Sequence, residues 1–354
     1  MKIAQVAPLI ESVPPAQYGG TERVVSYVTE ELIAQGHEVT LFASGDSETA
    51  AELVSCSPEA LRRCRTCQDP MAWHILQLET VMRRAQEFDV IHFHNDYLHF
   101  PLSTRMLTPH ITTLHGRLDL PVLPTLYEAF PDVPLISISD AQRAPLPAVN
   151  WRATIYHGLP KQCFHAGDDR PRHLTFLGRI SPEKGIDRAI QIALDAEMPL
   201  VIAAKIDRVD QEYFDTLIAP LLDHPLITFI GEIGEAEKPE LFRKTHALLF
   251  PIDWPEPFGL VMIEAMACGV PVVAFERGSV PEVIDHGKTG YVVNNVKDAA
   301  AAVRAISAIK RSECREISSR RFSASRMAQE YVREYQRLAG VEDRPAEDVE
   351  LTPA

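Results

Sequence analysis

Short apolar runs alternate with amphipathic stretches along this chain, and near residue 160 the alternation ends and starts afresh. Residues 2–7 form an apolar run that reads as a first strand. Within 21–35, Val24, Val28 and Leu32 recur at i, i+4 and i+8 with Val25 and Ile33 beside them, which is the pattern of an amphipathic helix. Gly36 ends it and a second strand starts at residue 38. Strands are expected at 90–94, 110–114 and 135–138, with a helix over 71–86. After loop-like residues 158–172 the series resumes. Strands at 174–177, 200–204, 227–230, 247–250, 272–275 and 291–293 are separated by helices at 183–195, 210–222, 236–245 and 260–268. Strand–helix–strand repetition demands a mostly parallel sheet with helices over both faces. Two such series predict two doubly wound, Rossmann-like α/β domains, 1–160 and 161–321, with further helices from 298 to 338. The last residues, Glu342–Ala354, hold five acidic residues and two prolines and read as a frayed acidic tail.

Composition agrees and excludes several classes. A chain of 354 residues suits about two domains. Lys+Arg 35 against Asp+Glu 49 leaves −14, which disfavours a duplex nucleic-acid binder. There is no apolar run of about 18 residues, so no membrane-spanning helix is expected. The opening residues are interrupted too soon, by Pro8, for a signal peptide. A cytoplasmic protein is expected, with room for peripheral contact at the inner face of a membrane. Six cysteines are not a disulfide framework. Cys64 and Cys67 form a CxxC without the second pair that a zinc site needs, and are expected to be incidental; Cys56, Cys163, Cys268 and Cys314 read as scattered thiols.

In open α/β sheets, ligands gather outside the carboxyl ends of the strands, so polar residues just after strands carry the information. Gly178-Arg179-Ile180-Ser181-Pro182-Glu183-Lys184-Gly185 follows one strand and opens a helix, with Ser181 as cap and Pro182 in the first helical position. Arg179 and Lys184 then flank a strand end, where guanidinium and ammonium groups meet phosphate oxygens; solvated cations beside a capped helix are the alternative. A second segment is more specific. After the strand at 247–250 comes a proline-rich loop with Glu256, then Pro257-Phe258-Gly259, which starts a helix carrying Glu264 and ended by Gly269. Glu264 interrupts an apolar run. Burying it demands a partner, either ribose hydroxyls or a structural cation. The amides of Phe258, Gly259 and Leu260 suit sugar hydroxyls or phosphate.

With these residues in view, the sequence resembles the family 4 retaining glycosyltransferases of the GT-B fold. Glu256 and Glu264 match the family's EX7E signature, Arg179 and Lys184 its GR…EKG segment, and Tyr18-Gly19-Gly20-Thr21-Glu22-Arg23 its loop after the first strand. The resemblance spans essentially the whole chain, and implies that a helix at about 322–338 crosses back onto the N-terminal domain. It also implies residue roles. Arg179 and Lys184 bind the diphosphate, Glu264 the ribose, and Glu256 the donor sugar with the backbone of Phe258, Gly259 and Leu260. Gly19 and Gly20 admit the donor closely, Gly231 through Ile233 line the base, and His115 meets the donor sugar at the reacting centre. Lys205 stands where the family more often has glycine, as a cation near the phosphates or as a structural residue.

The implied reaction moves a hexose, glucose from UDP-glucose as first choice, to a saccharide or lipid-linked saccharide with retention of configuration. Polysaccharide biosynthesis is the implied setting. No metal and no cofactor are expected, because Arg179, Lys184 and helix termini can stabilise the leaving diphosphate, and Asp207 and Asp210 have the wrong spacing for a DxD triplet. A nucleotide-sugar-binding protein without turnover and a GT-B epimerase or phosphorylase are the alternatives. A dinucleotide oxidoreductase is disfavoured by the missing GxGxxG after the first strand. His92 and His94 share a strand face and read as a strand-end feature rather than a metal site. Arg62, Arg63 and Arg65 read as a solvated basic face, and Glu282 as structural.

Overall fold

A computed structural model describes residues 1–161 and 171–340. The loop residues 162–170, with Cys163, and the acidic tail lie outside the described residues. Seven parallel strands form the first sheet: β1 (Lys2–Val6), β2 (Glu38–Ser44), β3 (Glu52–Ser57), β4 (Val90–Phe93), β5 (His110–Thr113), β6 (Leu135–Ser137) and β7 (Trp151–Thr154). Their order is β3-β2-β1-β4-β5-β6-β7. Six form the second: β8 (His173–Ile180), β9 (Leu200–Ile206), β10 (Ile227–Gly231), β11 (Thr245–Phe250), β12 (Val272–Phe275) and β13 (Gly290–Val293), in the order β10-β9-β8-β11-β12-β13. All described pairings are parallel in this sheet too. Each order reverses once, at β1/β4 and at β8/β11, and a crevice opens beyond the strand ends there.

Central strands are buried on both faces because helices cover both. Ile3, Ala4 and Val6 of β1 are fully buried, as are Leu248 and Val272 in the second sheet. Two strands, β3 and β7, were not anticipated. Both are edge strands, half-exposed and mixed in composition, so they carry no apolar run to read. The expected helix over 183–195 divides: a single turn at Pro182–Lys184 and the helix Ile186–Asp195 are separated by Gly185. Gly185 has φ 73°, and a Cβ there would collide with the Pro251 carbonyl. The expected helix over 210–222 is also irregular, passing from a short α segment, Gln211–Tyr213, through a π segment, Phe214–Ile218, to a 3-10 turn. Pro220 denies that stretch a regular hydrogen-bond ladder.

The helix Ala324–Leu338 returns to the first sheet. Its Tyr335 hydroxyl lies 2.6 Å from His92 Nδ1 and accepts from Gln5 Nε2 at 3.1 Å, while its Tyr331 hydroxyl accepts from Thr113. The crossing points are tied together: the Leu159 amide donates to the Phe322 carbonyl and the Ala324 amide to the Leu159 carbonyl. Elsewhere the two halves meet through Glu282, whose carboxylate accepts from the Asp140 and Ala141 amides and the Tyr156 hydroxyl. Ser139 adds a hydrogen bond to the Pro257 carbonyl at 2.6 Å. Among the described residues, no helix is long and apolar enough to cross a membrane.

The expectation for Cys64 and Cys67 is corrected. A CxxC spacing brings their Cα atoms to 5.3 Å, and the sulfurs are joined in a disulfide. Cys56, Cys268 and Cys314 are buried free thiols.

Candidate active site

A cleft of about 470 Å³ opens between the two sheets at their strand ends. From the first half, Gly19 and Gly20 reach it after β1 and His115 after β5. From the second, Arg179 follows on β8, Lys205 on β9, Ile233 after β10 and Glu256 after β11. Gly20 heads the helix Gly20–Ala34, and the helix Leu260–Ala267 brings Glu264 to the same space. Gly231 does not line the cleft. It ends β10 at φ 78° and turns the chain so that Glu232 and Ile233 do.

The charges are paired across loops. Lys184 Nζ lies 2.6 Å from Glu256 Oε2, which also accepts from the Trp254 indole at 3.0 Å. The same ammonium sits 4.8 Å over the Trp254 ring, a cation–π contact. Arg179 faces Glu183 at 2.5 Å, with Asp207 and Asp210 at 3.6 and 3.8 Å. Lys205 is 2.9 Å from Asp207 and 5.5 Å over the Tyr18 ring. Asp207 and Asp210 are therefore counter-charges to Arg179 and Lys205. An anion entering here would exchange these carboxylates for its own oxygens.

Gly259 begins the Leu260–Ala267 helix in the left-handed region, at φ 79°, which only glycine adopts without strain. The helix therefore starts at Leu260 rather than at Pro257. Phe258 turns its ring into an aromatic cluster with His157 and Phe322 and is buried, so it faces the cleft mainly through its backbone. Its carbonyl is taken by Ser279. In the first turn the Met262 amide donates to the Gly259 carbonyl, and the Leu260 and Val261 amides precede the first intrahelical acceptors.

Glu264 is almost fully buried, and the sequence left its partner open between ribose and a cation. Lys238 supplies the cation: its Nζ is 2.8 Å from Glu264 Oε1 and 2.9 Å from Glu235 Oε2. Glu235 is held in turn by Arg23 at 2.9 Å from the facing domain. Burial works against the charge on Lys238, but Glu264 and Glu235 outweigh it and raise its pKa. Glu235 and Lys238 escaped the sequence analysis because the segment after β10 shows no pattern relating them to Glu264, and Arg23 was read only as part of the loop motif after the first strand.

Arg62 is exposed, as a solvated basic face requires, and also reaches the cleft. It lines the cleft and pairs with Glu11 at 2.8 Å, because the Leu61 and Arg62 amides bind the carbonyls of Leu9 and Ile10 and draw that loop inward. Burial raises the Glu11 pKa.

His115 Nε2 lies 2.9 Å from His94 Nδ1, and the His115 ring stacks on His157 with centroids 5.4 Å apart. Burial pushes its pKa down to about 3, so the ring is neutral near pH 7. The ring nitrogens of His92 and His94 are all engaged by neighbouring protein groups. Among the described residues, no group of three or more His, Cys, Asp or Glu side chains is arranged to hold a metal ion.

Known proteins share this architecture. Residues 18–156 match the family model described as Glycosyltransferase Family 4, and residues 164–326 match that of Glycosyl transferases group 1. The chain is 26% identical to the glycogen synthase of Mycobacterium tuberculosis (strain H37Rv) over 348 residues, covering 83% of each chain. AviGT4, a glycosyltransferase of avilamycin A biosynthesis, superposes with a TM-score of 0.77 at 25% identity, over 97% of this chain and 99% of that one. HepE of Anabaena, crystallised with UDP-glucose, superposes with a TM-score of 0.73 at 20% identity, over 95% and 100%. The chain thus has the two-domain GT-B architecture of these glycosyltransferases, its N-terminal half matching the family 4 model and its C-terminal half the group 1 model.

Proposed function

We propose that this protein is a retaining hexosyltransferase that moves glucose from UDP-glucose to a saccharide or lipid-linked saccharide, without a metal. One observation carries this reading: Arg179, Lys184, Glu256 and Glu264 from one domain and His115 with Gly19-Gly20 from the other surround a single interdomain cleft. Within it, Arg179 and Lys184 receive the diphosphate and stabilise the charge that grows as it departs. Lys184 would then trade its bond to Glu256 for a phosphate oxygen, freeing Glu256 for hydroxyls of the donor sugar. The Lys238-held carboxylate of Glu264 accepts from ribose hydroxyls, and Glu232 and Ile233, brought in by the turn at Gly231, border the base. Lys205 adds a cation on the phosphate side. The acceptor attacks the face that the diphosphate leaves, with a phosphate oxygen taking its proton, so the anomeric configuration is kept. Closure of the two domains excludes water that would otherwise hydrolyse the donor. HepE, with its bound UDP-glucose, supports the choice of donor.

A thermal-shift panel tests the reading, using UDP, GDP and ADP with their glucose, mannose and N-acetylglucosamine conjugates. A ligand that binds only the folded state raises the melting temperature. Selective stabilisation by UDP-glucose is expected, followed by transfer to oligosaccharide acceptors with an α-anomeric product by proton NMR and undiminished rate in EDTA. Selective stabilisation by a GDP or ADP sugar would refute the donor. Loss of rate in EDTA, restored by a divalent ion, would refute metal independence. Binding without product from any acceptor would favour a binding protein.

A further inference from the structure

A directed chain of buried hydrogen bonds ends on His115. Gln5, fully buried at the centre of β1, points its amide nitrogen at the Tyr335 hydroxyl, 3.1 Å away, and its amide oxygen at His94 Nε2, 2.8 Å away. An amide oxygen only accepts, so His94 must carry its proton on Nε2. The ring is neutral, because burial holds the His94 pKa well below its ordinary value. His94 Nδ1 is therefore a bare acceptor, and His115 Nε2, 2.9 Å away, must be the donor to it. His115 is neutral as well, so its Nδ1 carries no proton.

The other end of the chain is consistent with this direction. Tyr335 accepts from Gln5 and donates to His92 Nδ1 at 2.6 Å; His92 Nε2 then donates to Thr113 Oγ1 at 2.8 Å, and Thr113 donates to Tyr331 at 3.1 Å. Each member before His115 has a partner, and at His115 only Nδ1 is left without one. Reversing the Gln5 amide would reverse the His94–His115 bond and put a proton on His115 Nδ1. That atom is buried and has no hydrogen-bond partner in the protein. A buried N–H without an acceptor is rarer and costlier than an unfilled lone pair, so the two directions are not equivalent.

We propose that Gln5 acts as a positioning residue that locks His115, through His94, in its Nε2–H tautomer, so that His115 Nδ1, buried in the ligand-free structure, is a bare acceptor that a donor-sugar hydroxyl meets only when the cleft rearranges around the donor. The final clause rests on the donor reading above; the tautomer does not. A hydroxyl meeting this nitrogen must donate its hydrogen, so a sugar lacking that hydroxyl leaves the nitrogen unfilled.

The test is long-range proton–nitrogen correlation NMR on ligand-free, full-length protein labelled with 15N-histidine, with His115 assigned by its loss in His115→Asn. His115 is expected to show protonated Nε2 and bare Nδ1. Gln5→Glu keeps an acceptor facing His94 and should keep this pattern. Gln5→Met removes it and should give a tautomer mixture, with KM for UDP-glucose raised about tenfold, a cost of about 1.4 kcal/mol, and kcat changed less. A protonated Nδ1 or an imidazolium in the wild type at pH 7.5 would overturn the proposal. An unchanged Nε2–H pattern in Gln5→Met would overturn the role of Gln5. The wild-type spectrum decides the tautomer even where Gln5→Met fails to fold. A fixed Nε2–H tautomer whose Nδ1 signal ignores saturating UDP-glucose would instead refute the donor reading and leave the tautomer assignment standing.

Discussion

Replacing Lys238 with methionine strands one carboxylate, and the structure says which. Lys238 serves Glu264 at 2.8 Å and Glu235 at 2.9 Å. Glu235 is a quarter exposed and keeps Arg23 at 2.9 Å, so it loses little. Glu264 is 3% exposed by its side chain and loses its cation. Removing one partner from a buried pair costs about 3–5 kcal/mol. Lys238 retains some solvent contact, so the low end, about 3 kcal/mol, applies to Lys238→Met. At about 2–4 °C per kcal/mol for a domain of this size, the melting temperature should fall by about 6–12 °C. Thermal denaturation followed by circular dichroism at pH 7.5 measures it. The sign with pH follows from the raised Lys238 pKa: the pair's contribution is complete below the ordinary lysine pKa and is lost as pH rises through the folded one, so pH 7.5 reports all of it. Adding Glu264→Gln to Lys238→Met removes the stranded charge and should restore at least half of the loss. A single variant that melts with the wild type would refute the argument, as would a double variant whose loss equals the sum of both singles.

Three further outcomes are expected. Lys184→Ala should weaken UDP binding by about tenfold or more in isothermal titration, about 1.4 kcal/mol for a lost charge-assisted contact, with the fold retained by circular dichroism; wild-type affinity would place the diphosphate elsewhere. His92, His94, His99, His115 and His157 are all held neutral by burial, with pKa values below the ordinary one. The unfolded chain then binds more protons than the folded one below pH ~6.5, so each histidine removes up to about 1.4 kcal/mol of stability per pH unit as pH falls, and the melting temperature should drop from pH 7 to pH 5; a flat profile would contradict their neutrality. Glu282→Ala frees the Asp140 and Ala141 amides and the Tyr156 hydroxyl at the seam between the halves. Small-angle scattering of that variant should show a larger radius of gyration without nucleotide, and an unchanged radius would mean that Glu282 does not restrain the halves.

Much of this molecule is local information. Apolar runs and helical periodicity are properties of neighbouring residues, so the two parallel sheets, most of their strands and the return of the pattern near residue 160 could be read directly. The strand-end residues were legible for the same reason. In a doubly wound sheet the carboxyl ends share one side, and Arg179, Lys184 and Glu256 needed no knowledge of contacts to be placed there, whereas Glu264 stood out as a carboxylate in an apolar helix and His115 came only from the family resemblance. Edge strands β3 and β7 escaped because they lack a buried face, and the break at Gly185 because glycine tolerates several conformations that sequence does not distinguish.

What only tertiary structure decided is which groups complete the charges and hydrogen bonds. Lys238 meets Glu264 across 26 residues, and Arg23 meets Glu235 from the facing domain. Arg62 enters the cleft because its loop is pinned to residues 9 and 10. Cys64 and Cys67 had the spacing for a bond, but their joining depended on how that loop folds. Gln5 lies 330 residues from Tyr335, and they meet only because the last helix crosses back to the first sheet. A buried polar group must find its partner wherever the chain brings one. That requirement is written in the sequence at Glu264 and Gln5, but its solution is a property of the folded chain.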